Sequence, residues 1–194
     1  MKVYELLIEE NPNSELEVNF VAGVDRPAIE RNFLVFKENK PKMKFASVEG
    51  DGSFIIGPAM IPDMLIDRVA DDGTEYQVFF SAATIGSIAE KFFEKGFQHN
   101  FNLMHDPEQQ KDGVTFFQSF IKDTAKGIVG FNDDLPDGTW YLGAKVKNEE
   151  VKALVKSGEI KGWSVEGLFK YKQKPVANSD VFQQIADILS GISA

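Results

Sequence analysis

The chain has 194 residues, 43% of them hydrophobic and 26% charged, a globular balance that excludes a wholly disordered, collagen-like or coiled-coil protein and fits one domain with an appended tail. Lys plus Arg number 21 against 30 Asp plus Glu, a net charge of −9, so there is no basic field to attract nucleic acid or anionic lipid. No Cys is present, which removes disulfides, thiolate catalysis and Cys-ligated zinc together.

The opening MKVYELLIEE turns acidic before any apolar run suited to a signal peptide, and no stretch approaches the ~20 apolar residues of a membrane span, so the protein is expected to remain in the cytoplasm. Residues 3–8, 16–21 and 33–36 predict strands, with Asn11-Pro12-Asn13 as the first turn. Pro27 removes a ladder donor and steers Arg26 away from helix, so residues 24–28 predict an irregular connection. Past a polar loop at 37–42, residues 43–48, 54–61, 65–69 and 76–80 continue the β pattern. Gly50-Asp51-Gly52 and Asp71-Asp72-Gly73 supply tight turns, and Pro58 and Pro62 mark an edge or a bulge.

At Ser81 the period changes. Ile85, Ile88, Ala89, Phe92 and Phe93 share one helical face, with Ser81 as N-cap and Gly96 as terminator. Residues 101–105 and 114–121 predict two more strands joined by a polar loop at 106–113, and 132–138 predict a turn. After a strand at 140–146, Asn148 caps a helix carrying Val151, Leu154 and Val155, which Gly158 ends before a last strand at 160–171. Beyond Pro175, the residues Val181, Phe182, Ile185, Ile188, Leu189 and Ile192 form one apolar stripe, an amphipathic helix suited to docking on the body, to a homodimer contact or to removal. The expected organisation is an α+β body, residues 1–174, of about nine strands and two helices, followed by an appended helix at 175–194. Seventeen Phe against four Tyr and two Trp imply that most aromatic surface is core.

The general-base candidates at neutral pH are His99 and His105, six residues apart. In an extended segment they would lie roughly 20 Å apart, too far for one metal ion, so a metal-dependent hydrolase would rest on little more than His99, His105 and Asp106. The Asp-rich turn at 133–138 is interrupted by Pro136, and Ala144 stands where a calcium loop needs its bidentate Glu. Phosphate-loop, dinucleotide, GxSxG and HExxH motifs do not occur.

What remains is Asn102-Leu103-Met104-His105-Asp106 and, about sixty residues later, Lys161-Gly162-Trp163-Ser164-Val165-Glu166-Gly167, preceded by a helix and the turn Ser157-Gly158. Together with Ile56-Gly57-Pro58-Ala59-Met60-Ile61-Pro62, residues 80–93 and Pro136-Asp137-Gly138-Thr139-Trp140, these resemble the phage prohead (head maturation) serine proteases, closest to their XkdF-like branch, over roughly residues 21–169. The resemblance implies a mainly antiparallel β-barrel of the herpesvirus-assemblin type with two or three helices. It implies Ser164 as nucleophile and His105 as general base, carried by two separate strands. A serine hydroxyl is a weak nucleophile until a neighbouring imidazole takes its proton, which is why the pairing makes chemical sense.

No His follows Ser164, so the group that orients His105 must be a carboxylate, a backbone carbonyl or water. Glu166 shares a strand face with Ser164 by period-two alternation, while Asp106 and Asp123 are the other options. Gly162 and Gly167 suit either the close approach of a bound peptide or a bulge. The implied activity is an endopeptidase that processes phage scaffold and major capsid proteins, and itself, within the assembling prohead in the host cytoplasm. Portal and prohead core proteins are its neighbours, and no cofactor is implied. Gln118-Ser119-Phe120 departs from a Glu-Ser-Trp pattern in the family. That departure keeps open a second reading, a catalytically inactive core or scaffold-type protein with the same fold.

Overall fold

The computed structural model describes residues 1–25, 47–48, 52–131 and 134–174. Strands β1 (Lys2–Leu7), β2 (Val18–Val24), β3 (Ser47–Val48), β4 (Phe54–Met60), β5 (Ile66–Val69) and β6 (Glu75–Phe79) precede helix α1 (Ala82–Glu94). Strands β7 (Phe101–Leu103), β8 (Asp106–Gln110), β9 (Val114–Ile121) and β10 (Trp140–Val146) follow, then helix α2 (Glu149–Ser157), β11 (Gly162–Gly167) and β12 (Lys170–Gln173). The strands form three four-stranded sheets in the orders β12-β1-β6-β5, β3-β4-β10-β9 and β11-β2-β7-β8. Most pairs are antiparallel, but β1 with β6 and β2 with β7 run parallel, which requires the long crossovers that the intervening elements supply.

The α+β class with a dominant β content is as expected. The closed barrel is not formed by the described pairings: closure needs every edge strand hydrogen-bonded to a neighbour, and β11 and β4, which approach each other, share no ladder. Residues 106–110, expected in a loop, instead pair back onto β7 as β8. The last strand is split, since β11 ends in a register shift at Glu166/Gly167 and β12 crosses to pair with β1. The expected strand at 33–36 and the appended helix at 175–194 lie outside the described residues.

Both internal helices begin and end where side-chain chemistry requires. Ser81 Oγ accepts the Thr84 N–H at 3.3 Å and Asn148 Oδ1 accepts the Val151 N–H at 3.1 Å, each satisfying a donor that the first helical turn leaves open. Gly158, at φ 75°, takes the left-handed conformation that closes α2. Helix α1 buries Ile85, Ile88 and Phe92. Phe92 meets Trp140 edge-on at 5.7 Å, and Phe116 meets Trp163 at 5.2 Å, so an aromatic chain runs from α1 through the sheets to β11. The Trp163 indole N–H donates to the Leu142 carbonyl at 3.0 Å, tying the strand that carries Ser164 to β10. Truncating Phe92 to Ala should therefore cost about 3–5 kcal/mol. Phe117 and Phe131 depart from the expectation that Phe is core, since both are exposed.

Candidate active site

Strand β2 is the axis of the site. On one side Ala22 pairs with Ser164 of β11, and on the other it pairs with Asn102 of β7. Residues in register across neighbouring strands share a face, so Ser164, Ala22 and Asn102 form one row, with the small Ala22 between two polar side chains. Glu166, two residues beyond Ser164, rejoins that face. Its Oε1 accepts the Asn102 Nδ2 at 2.6 Å.

His105 arrives by a different device. Strands β7 and β8 are joined by the two-residue turn Met104-His105, closed by the pair Leu103 and Asp106. Both turn residues have positive φ, 53° and 60°, the combination that ordinarily selects Asn-Gly. Non-glycine residues held there cost on the order of 1–3 kcal/mol each and persist only where the surroundings over-determine them. Two bonds do so here: the Met104 N–H donates to the Gly23 carbonyl at 3.1 Å, and His105 Nδ1 lies 3.0 Å from Glu166 Oε1.

Ser164 is 7% exposed, and the His105 and Glu166 side chains are 15% and 29% exposed. Burial pushes the Glu166 carboxyl up, but the hydrogen bonds from His105 and Asn102, with the ring's charge added when it is protonated, outweigh it and hold the group below its usual range. An ionised carboxylate can only accept, which assigns the ring proton to Nδ1 and leaves Nε2 as the basic nitrogen. That Nε2 is buried and has no hydrogen-bond partner, and neither has Asn102 Oδ1. Ser164, His105 and Glu166 together line a pocket of about 480 Å³ whose other walls are largely apolar.

The remaining candidates stand elsewhere. Asp106 accepts the Glu108 N–H at 2.9 Å and turns its own strand start. Asp123 caps the 3-10 turn Thr124–Lys126 and pairs with Lys126 at 2.6 Å. Of the three carboxylates considered as partners for His105, Glu166 is the one in contact with it. His99 ends the 3-10 turn Phe97–His99, where Nδ1 lies 3.3 Å from Thr115 Oγ1. Gln118 pairs with Gly143 on β10, outside the pocket. Among the described residues no group of three or more His, Asp or Glu side chains could hold a metal ion.

Sequence reasoning gave Asn102 no role, although an amide between Phe101 and Leu103 in a buried strand is itself a signal that something must satisfy it. Gly167 proves to be a bulge residue: a Cβ there would lie 2.0 Å from the Glu17 carbonyl oxygen, so the close approach is made by the chain's own backbone.

A serine, a histidine and an acid lining one pocket on a rigid β scaffold are the residue types from which Ser-His-acid hydrolases are built. Residues 45–174, more than half of the chain, match the family model described as "Putative phage serine protease XkdF". The chain belongs to that family. No curated protein and no solved structure matches it.

Proposed function

We propose that the protein is a serine endopeptidase with Ser164 as nucleophile, His105 as general base and Glu166 as the group that orients it. The observation that carries this reading is the polarity of His105: Nδ1 rests on Glu166, Nε2 is left without a hydrogen-bond partner, Ser164 included, and His105 and Ser164 line one pocket. Ser164 Oγ attacks the peptide carbonyl carbon as its proton passes to His105 Nε2. The tetrahedral intermediate collapses when His105 returns that proton to the departing amine nitrogen, leaving an acyl-serine. Water, deprotonated by the same nitrogen, then releases the acid. Glu166 stabilises the imidazolium in both halves, and Asn102 holds Glu166 from the other side.

Membership of a phage protease family supports scaffold and major capsid proteins as the substrates, with action inside the assembling prohead and portal or core proteins nearby. The assemblin-type barrel belongs to the same proposal. It is supported by the approach of β11 to β4 and by the Trp163 bond across to β10. Gln118 does not favour an inactive role, because it sits over Gly143 rather than in the pocket.

The test is covalent labelling with a fluorophosphonate, together with co-expression beside the phage capsid and scaffold proteins. Labelling should map to Ser164, and Ser164→Ala should abolish both labelling and cleavage while melting at the wild-type temperature. Cleavage by Ser164→Ala at the wild-type rate would overturn the mechanism.

A further inference from the structure

Main-chain direction along β2 determines what β11 presents to a ligand. The Val21 N–H donates to the Asn100 carbonyl, and the Gly23 carbonyl accepts the Met104 N–H. Odd-numbered residues of β2 thus turn their peptide groups to β7, and Ala22 turns its own to β11. Since Ala22 pairs with Ser164, the peptide groups of Ser164 face β2, and those of the next residue, Val165, face the opposite edge. Among the described residues no strand pairs with that edge. Residues 59–61, at the end of β4, and residues 165–167 of β11 line the same pocket as Ser164.

The pocket's apolar wall is made by Leu6, Met60, Met64, Ile66, Phe80 and Phe169. Phe80 and Phe169 meet edge-on at 5.0 Å, forming a fixed apolar wall. Met60 and Met64 supply adaptable surface that accepts several side-chain shapes. At about 480 Å³ the space is of ligand-site size. Arg68 also lines it, with its guanidinium 3.4 Å from the Asp67 carbonyl.

We propose that this pocket is a specificity subsite: it takes one large apolar side chain (Leu, Ile, Met or Phe) of a polypeptide bound as an added strand along the outer edge of β11, hydrogen-bonded to the Val165 N–H and C=O. Edge addition supplies sequence-independent main-chain affinity, and the pocket supplies the choice of residue. This inference rests on the protease reading for its consequence, though peptide binding can be measured without catalysis.

The experiment uses the full chain and random decapeptides with one position at a time fixed as Leu, Met, Phe, Ala, Asp or Lys. Cleavage rates are measured on the wild type, binding by fluorescence anisotropy on Ser164→Ala, and fluorophosphonate labelling in parallel. At one position Leu, Met and Phe should exceed Ala and Asp by about tenfold or more in kcat/KM, with the same order in binding. Met64→Asp should erase that preference and Met64→Leu should keep it. Labelling at Ser164 without an apolar preference overturns the subsite and leaves the protease reading standing, as does a preference for Asp, which would assign the pocket to Arg68. Apolar binding without labelling or cleavage overturns the protease reading and keeps the groove. Loss of both overturns both.

Discussion

Two polar clusters flank the β2–β11 pair, and they are satisfied in opposite ways. Near the start of β2, Lys91 is 4% exposed and its ammonium donates to the carbonyls of Glu9, Asn11 and Ser14 at 2.8, 3.1 and 3.1 Å, while lying 3.2 Å from Glu17. Lys95 completes the neutralisation of Glu17 at 2.7 Å. At the other cluster, Glu166 is held from two sides, yet His105 Nε2 and Asn102 Oδ1 are buried with nothing to bond. Buried polar groups are normally paired. A saturated cation organises a loop, whereas the unpartnered ring nitrogen of a pocket-lining histidine is the group the proposed mechanism uses as its base. The clusters are joined through backbone: the Leu168 N–H donates to the Glu17 carbonyl at 3.0 Å, next to the bulge that ends β11 just after Glu166.

The largest expected effect separates the two clusters by activity. Glu166→Gln keeps size but removes the charge that stabilises the imidazolium and can turn its NH₂ to Nδ1, favouring the wrong tautomer, so kcat should fall about 10³–10⁴-fold with little change in melting temperature. A variant retaining a tenth of wild-type kcat on a cleaved peptide would mean that the carboxylate is not the orienting group. Lys91→Met should do the reverse. It leaves the Glu9, Asn11 and Ser14 carbonyls without their donor, while Glu17 keeps Lys95, and should lower unfolding free energy by about 1–3 kcal/mol, read from urea denaturation. A loss under about 1 kcal/mol would dissolve the distinction between the clusters.

Gly167→Ala tests the join. With a Cβ 2.0 Å from the Glu17 oxygen, the backbone must move, at about 1–3 kcal/mol. Because Glu166 moves with it, kcat should drop as well. Destabilisation with unchanged kcat would uncouple the bulge from the site.

A smaller effect lies in acid. Glu166 is held below its ordinary value of 4.5, so in the folded state it binds its proton more weakly than in the unfolded state. Its contribution to stability is fully present above that ordinary value and is lost as pH falls through the depressed folded one. Urea unfolding from pH 7 to pH 3 should therefore show a steeper acid loss in the wild type than in Glu166→Gln; parallel curves would contradict the bond network. The smallest effect is expected for His99→Gln, within about 0.5 kcal/mol in stability and unchanged in kcat. A collapse of activity there would transfer the base role away from His105.

Local chemistry was legible in the sequence. Ser81, Asn148 and Gly158 mark helix boundaries because caps satisfy the nearest backbone groups and need no distant partner. The shared face of Ser164 and Glu166 follows from strand periodicity alone, and the family motifs singled out His105. Tertiary structure decided the rest. No Gly or Asn announces the Met104-His105 turn, whose strain is offset by bonds to Gly23 and Glu166. The choice of Glu166 over Asp106 and Asp123, and the part played by Asn102, depend on a contact across 64 residues of chain. The split of the last strand depends on the Glu17 carbonyl, which occupies the space a side chain at residue 167 would need. Periodicity and capping are energies within a few residues of one another, whereas sheet order, bulges and buried polar pairing are set by which distant segments meet.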